Sequence, residues 1–84
     1  MNLDSLRMQI DQIDQELMEL FKKRIDVSFR IGEYKKIHNL PILDSIREQE
    51  ILLQRKREFN DEKLWPSYES LLKEMMRLSK EHQK

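Results

Sequence analysis

The chain has 84 residues, and its 16 Lys and Arg residues are balanced by 16 Asp and Glu residues, so the formal net charge is zero. This balance argues against nonspecific nucleic-acid binding, which needs a net basic surface. Cysteine is absent, which excludes disulfides and thiolate chemistry. One Gly, two Pro residues and abundant Leu, Ile, Glu, Lys and Gln predict an all-α protein.

The N-terminal segment MNLDSLRMQIDQ is polar and lacks the apolar core of a signal peptide. No apolar run approaches the ~20 residues of a membrane span. We therefore expect a cytoplasmic protein that makes no membrane contact and folds as one helical domain over residues 1–84.

The first predicted helix covers residues 3–38 and carries an unbroken hydrophobic stripe. Its positions alternate in spacings of three and four, the pattern of a long helix packed along another helix. At ~1.5 Å per residue the helix would be roughly 50 Å long, and two short helices cannot cover it. We therefore expect a second copy of the chain to cover the stripe in a twofold homodimer. The stripe positions are Leu3, Leu6, Ile10, Ile13, Leu17, Leu20, Arg24, Val27, Ile31 and Tyr34.

Two shorter helices follow the first. Asn39 and Pro41 end the first helix, because proline disfavours helical geometry in the residue before it. Asp44 or Ser45 then caps a second helix, which runs to residue 59 and begins with a capping-box pattern. Its apolar residues are Ile46, Leu52, Leu53 and Phe59.

A third helix is predicted from the region of Pro66, since proline suits the first turn of a helix. Tyr68, Leu72, Met75 and Ser79 lie on one stripe of this helix. The chain is thus predicted to contain one long helix and two shorter ones.

Arg24 occupies a stripe position where an aliphatic side chain would pack best. An unpaired charge in such a seam costs roughly several kcal/mol, so an anion should meet it. Arg24 either pairs with an internal Glu, reaches out to solvent at the edge, or binds an anionic ligand. Lys35 lies eleven residues later, about three turns, and shares a face with Arg24 about 16 Å away. Their long side chains can converge on a small anion.

Further polar residues stand at positions consistent with the same site. Arg47 and Glu48 open the second helix, whose N-terminus carries free amides and a positive dipole end. Ser79 and Gln83 continue the apolar stripe of the third helix with polar side chains. We expect no metal site.

Arg7 lies roughly 25 Å from Arg24 along the same helix, so the two cannot hold one ligand within a chain. An antiparallel partner helix crossing near Met18 would bring the partner's Arg7 to residues 24–35. Such a dimer would have two equivalent sites, each using both chains.

Four motifs, in this order, resemble those of the all-α class of chorismate mutases, and the resemblance covers nearly the whole chain. The motifs are LRMQIDQIDQELMELFKKR at residues 6–24, IGEYK at 31–35, PILDSIRE at 41–48 and SKEHQ at 79–83. The resemblance implies an intertwined six-helix homodimer of three-helix chains. It also implies a [3,3] sigmatropic rearrangement of chorismate to prephenate in aromatic amino-acid biosynthesis, with no cofactor.

The resemblance also implies a role for each site residue. The two substrate carboxylates would bind Arg24, Arg47 and the partner's Arg7, with Ser79 assisting. Lys35 and Gln83 would donate hydrogen bonds to the ether oxygen of the breaking bond, and Glu48 and the Asp44 backbone would hold the ring hydroxyl. The catalytic residues would then be Arg24, Lys35, Glu48 and Gln83. Leu43 departs from members of the family that carry a basic residue there.

Two alternatives remain open from the sequence. An isochorismate-pyruvate lyase has the same fold and a similar cationic pocket. A non-catalytic helical dimer, acting as a regulatory or dimerisation module, would share the hydrophobic stripe but would tolerate loss of Arg24.

Overall fold

The structure is a computed structural model that describes residues 2–84, and in this range it contains three α-helices and no strand. Helix α1 spans Leu3–Ile37, α2 spans Ser45–Phe59 and α3 spans Trp65–Glu81. The prediction of an all-α fold with one long and two shorter helices is confirmed.

The helix ends follow from local chemistry. Asn39 and Asn60 adopt left-handed backbone geometry, with φ of 54° and 51°, and asparagine tolerates this conformation better than most residues. Of the two predicted caps for α2, Asp44 is the one used, and its Oδ1 accepts a hydrogen bond from the Arg47 amide at 3.0 Å. Ser45 is already the first helical residue.

Helix α3 packs against both α1 and α2 and supplies the centre of the core. Trp65 and Leu72 are only 5% and 3% exposed, and the Phe59 ring stacks on Tyr68 with centroids 4.9 Å apart. Of the four apolar residues named for α2, Leu52 and Phe59 pack against the core, whereas Ile46 and Leu53 are exposed. The core contains Trp65, Leu72 and Met76, with Ile51, Leu52, Phe59, Tyr68 and Met75 packed against them.

Helix α1 is covered by α3 only over its second half, where Ser28 and Gly32 are buried. Residues 2–23 are all exposed, and every apolar side chain of the hydrophobic stripe is at least 41% exposed. The long dimension of the molecule, 55 Å, matches the length of a 35-residue helix. None of the described helices is both long and apolar enough to cross a membrane.

The capping geometry predicts different effects for two adjacent substitutions. Asp44→Ala removes the side chain that accepts from the Arg47 amide and should lower the free energy of unfolding by about 1 kcal/mol. Ser45→Ala removes no capping bond and should change it by less than about 0.5 kcal/mol. Urea denaturation at a fixed protein concentration measures both, and equal losses would contradict Asp44 as the cap.

Candidate active site

A cavity of about 460 Å³ lies where the three helices meet. Every predicted site residue except Arg7 lines it. Its walls also include Ile31, Ile42, Ile51, Met76 and Lys80, so charged groups alternate with apolar surface. The predicted residues that line it are Arg24, Lys35, Asp44, Arg47, Glu48, Ser79 and Gln83.

Arg7 is exposed on the uncovered half of α1 and does not line the cavity. Its separation from Arg24, 17 residues of continuous helix, corresponds to roughly 25 Å. Its part in the site of a partner chain stays a prediction.

Arg24 projects from α1 onto α3 and is half-buried there. Its guanidinium donates hydrogen bonds to the Ser79 hydroxyl and to the Met75 carbonyl, the latter at 3.4 Å. Among residues 2–84 no carboxylate, Glu48 included, lies within ion-pair distance of Arg24. Arg24 therefore does not pair with an internal Glu. Its hydrogen-bond partners are neutral groups, and its positive charge faces the cavity.

Lys35 and Gln83 come together at the other end of the cavity. The Lys35 ammonium donates to the Gln83 side-chain oxygen and to the Ile42 carbonyl, both at 3.0 Å. An ammonium carries three donors, so one remains for a ligand, and the Gln83 oxygen accepts while its amide group stays a donor. The pair therefore presents hydrogen-bond donors from α1 and from the turn after α3 at the same end of the cavity.

Gly32 explains how Gln83 reaches Lys35. A Cβ at position 32 would lie 2.6 Å from the Gln83 Cα, closer than non-bonded carbon atoms approach. The backbone of the chain's last turn thus rests directly on α1. The glycine costs α1 about 1 kcal/mol of helix propensity relative to Ala, and its lack of a side chain lets the turn after α3 lie against the site.

Glu48 forms an ion pair with Lys80, with Oε1 and Nζ 2.9 Å apart. This pair joins α2 to α3, whereas the other ion pairs among the described residues each connect positions three or four apart in the sequence. Sequence reasoning missed Lys80. The available signal was its spacing from Met76 and Gln83, which places all three on one face of α3.

The charges of the cavity wall do not cancel. Its four cationic side chains and two carboxylates leave a formal charge of +2. One carboxylate, that of Asp44, is already engaged in capping α2. The net positive charge, together with the hydrogen-bond donors of Lys35 and Gln83, makes the cavity suited to a small dianion. The cations are Arg24, Lys35, Arg47 and Lys80, and the carboxylates are Asp44 and Glu48.

Fold and cavity together define a small all-α domain with a pocket of net positive charge. The family model for chorismate mutase type II matches residues 6–84, and the chain belongs to this family. The resemblance inferred from the four motifs is thereby confirmed.

Individual relatives agree with this assignment. The chain is 31% identical to 4-amino-4-deoxychorismate mutase of Streptomyces pristinaespiralis over 94% of its length. It is 47% identical to the bifunctional chorismate mutase/prephenate dehydratase of Aquifex aeolicus over 58% of its length. The solved structure of a conserved hypothetical protein from Pyrococcus furiosus superimposes with a TM-score of 0.78 at 36% identity, covering 98% of this chain and 95% of that one.

The matched region is only part of the curated relatives. It spans 65% of the Streptomyces protein and 14% of the Aquifex protein.

Within residues 2–84 no group of three or more His, Asp or Glu side chains is arranged to hold a metal ion.

The close contact at Gly32 predicts that Gly32→Ala displaces Gln83. Helix propensity alone would make this substitution stabilising by about 1 kcal/mol. The added methyl group instead meets backbone, so we expect the last turn to detach and the Lys35–Gln83 hydrogen bond to break. NMR should show the Gln83 side-chain amide shifting to solvent-exposed values, with faster amide exchange over residues 80–83. The matched control, Glu33→Ala, should leave these signals in place; unchanged Gln83 signals in Gly32→Ala would contradict the contact.

Proposed function

We propose that the chain is a chorismate mutase that converts chorismate to prephenate in aromatic amino-acid biosynthesis, with residues 1–84 forming one catalytic domain. The observation that carries the proposal is the cavity itself. It combines a net positive wall with the paired donors of Lys35 and Gln83. Membership of the chorismate mutase type II family favours this chemistry over other reactions of a small dianion.

The active molecule in this proposal is a homodimer. The exposed hydrophobic stripe of α1 would be covered by the same stripe of an antiparallel partner, giving an intertwined six-helix assembly. The crossing would bring the partner's Arg7 to the open side of the cavity. That side has room for it, because Arg47 is 57% exposed and Ile31 is 42% exposed in the single chain.

The two substrate carboxylates would be bound by arginines. Arg24 is already oriented by the Ser79 hydroxyl and the Met75 carbonyl, so little side-chain entropy is lost when a carboxylate arrives. Arg47 and the partner's Arg7 would complete the clamp. Fixing both carboxylates forces the flexible enolpyruvyl arm over the ring, which is the compact conformer that the rearrangement requires.

The bond changes are intramolecular: the ether C–O bond breaks while a C–C bond forms between the side chain and the ring. Negative charge develops on the ether oxygen as the bond breaks. The remaining donor of Lys35 and the amide of Gln83 would stabilise this charge, and because they are held in place beforehand they need no reorganisation. Glu48 would accept a hydrogen bond from the ring hydroxyl, beside the Asp44 backbone.

One relative's name favours a second candidate substrate. The Streptomyces relative is a 4-amino-4-deoxychorismate mutase and aligns over 94% of this chain. The same cavity could perform the same rearrangement on this compound, in which an amine replaces the ring hydroxyl.

The primary test is consumption of chorismate. Purified protein should remove the ultraviolet absorbance of chorismate without added cofactor and yield prephenate. Arg24→Leu should lower kcat/KM by about 100-fold or more, because it removes a charged contact to the dianion. It should also unfold at a temperature equal to or above that of the parent, since an aliphatic residue suits the stripe.

Three outcomes would contradict parts of this proposal. A rate no higher than that of the uncatalysed reaction would overturn the mutase function. Formation of salicylate and pyruvate from isochorismate would identify a lyase instead, and full activity in Arg24→Leu would remove Arg24 from the mechanism.

The shared site has a separate test. Arg7→Ala and Arg24→Ala chains, each inactive alone, are mixed under conditions that exchange subunits. Each heterodimer would contain one intact and one doubly damaged site, so about a quarter of the parental activity should return after statistical mixing. Mixing Arg24→Ala with Lys35→Ala is the matched control. Both of those residues belong to the same chain's half of a site, so no activity should return. Absence of recovery in the first mixture, with exchange verified by mass spectrometry, would show that Arg7 does not act across chains.

A further inference from the structure

The ion pair between Lys80 and Glu48 differs from every other ion pair among the described residues. It links two helices, its side chains are 32% and 28% exposed, and it lies in the wall of the cavity. The other pairs lie on helix surfaces, with side chains 38–73% exposed. A lysine held at this place fixes the charge felt by whatever group meets Glu48.

Glu48 is the carboxylate that the proposed mechanism assigns to the ring substituent of the substrate. Its Oε1 is taken by the Lys80 ammonium, which leaves the second oxygen to accept from a ring hydroxyl. A ring amine is protonated near neutral pH. Bound to the same carboxylate, it would place a second positive charge within roughly 5 Å of Lys80 Nζ, where like charges repel strongly in a half-buried site.

The overall charge leads to the same distinction. In the single chain the cavity wall has a formal charge of +2, and the partner's Arg7 would raise it to +3 in the proposed dimer. A substrate with two carboxylates and one ammonium carries a net charge of −1, one unit less negative than a substrate with a neutral hydroxyl. Each positive charge in the wall therefore favours the substrate with the hydroxyl over the substrate with the ammonium, and Lys80 supplies the positive charge that lies beside Glu48.

We propose that Lys80 is a specificity-determining residue, which selects a neutral hydroxyl and rejects an ammonium at the ring position held by Glu48. The proposal rests on the chorismate mutase function proposed above. It assigns to this chain a preference for chorismate over 4-amino-4-deoxychorismate, and it locates that preference in one side chain that forms no part of the carboxylate clamp or of the ether-oxygen donors.

The test compares kcat/KM for the two compounds in four proteins: the parent, Lys80→Met, Lys80→Arg and Arg77→Met. The parent should prefer chorismate. Lys80→Met keeps much of the side-chain volume and removes the charge, and it should shift the ratio of the two kcat/KM values towards the amino compound by about tenfold or more. Lys80→Arg keeps the charge and should hold the ratio within about twofold of the parent. Arg77→Met also loses one positive charge on α3, but at a position outside the cavity wall that is paired with Glu74, and it should leave the ratio unchanged.

The outcomes separate the two proposals. If the parent turns over chorismate but Lys80→Met leaves the ratio unchanged, the specificity role is wrong and the mutase function stands. An equal shift in Arg77→Met would mean that net charge, not the ion pair, sets the preference, and would also overturn the role of Lys80. If neither compound reacts, the proposed function fails; dissociation constants from isothermal titration calorimetry with the same proteins then decide the role of Lys80. The expected result is the same shift in the ratio of affinities, and an unchanged ratio rejects it.

Discussion

The contact on which the site depends is that between Arg24 and α3. A guanidinium in a helical seam normally needs a carboxylate, since an uncompensated charge out of water costs several kcal/mol, roughly. Here its hydrogen-bond partners are a hydroxyl and a backbone carbonyl. These neutral groups fix the position of the arginine and satisfy part of its donor capacity without cancelling its charge. The charge is therefore still available to a ligand, and α3 is held against α1 at the level of the cavity.

The same arrangement leaves most of α1 uncovered in the single chain. The core centres on three buried apolar side chains of α3, whereas the apolar stripe of α1 is exposed along its whole length. Burial of each large apolar side chain contributes about 1.5–3 kcal/mol, so the stripe represents more potential stabilisation than the intramolecular core. Because the cavity opens beside this stripe, covering α1 with a second chain and closing the site would be one event.

The hydrophobic periodicity within each helix predicted the secondary structure and the residues that share a helix face. It predicted three helices and placed Arg24 and Lys35 on one face of α1, and the chemistry of Asn39 and Asp44 marked the turn between α1 and α2. Features that depend on how two helices cross were not accessible in this way. The cross-helix partner of Glu48 is set by the angle between α2 and α3, and the burial of Trp65 depends on the aromatic contacts of the α2–α3 turn. Spacing alone places Lys80 on the same face of α3 as Met76 and Gln83, but neither its pairing with Glu48 nor the burial of Trp65 follows from periodicity.

Gly32 is partly predictable from the sequence. A glycine inside a helical pattern is unusual, but the contact that explains it is visible only in the three-dimensional structure. A residue that weakens α1 is tolerated where the backbone at Gln83 must approach. Arg24 follows the same logic with charge in place of volume, since it replaces an aliphatic side chain of the stripe with a positive charge that lines the cavity. Both local defects of α1 therefore lie on the cavity side of the helix. A helix optimised only for packing would have an aliphatic residue at position 24 and Ala at 32, and it would have neither the charge nor the space that the pocket requires.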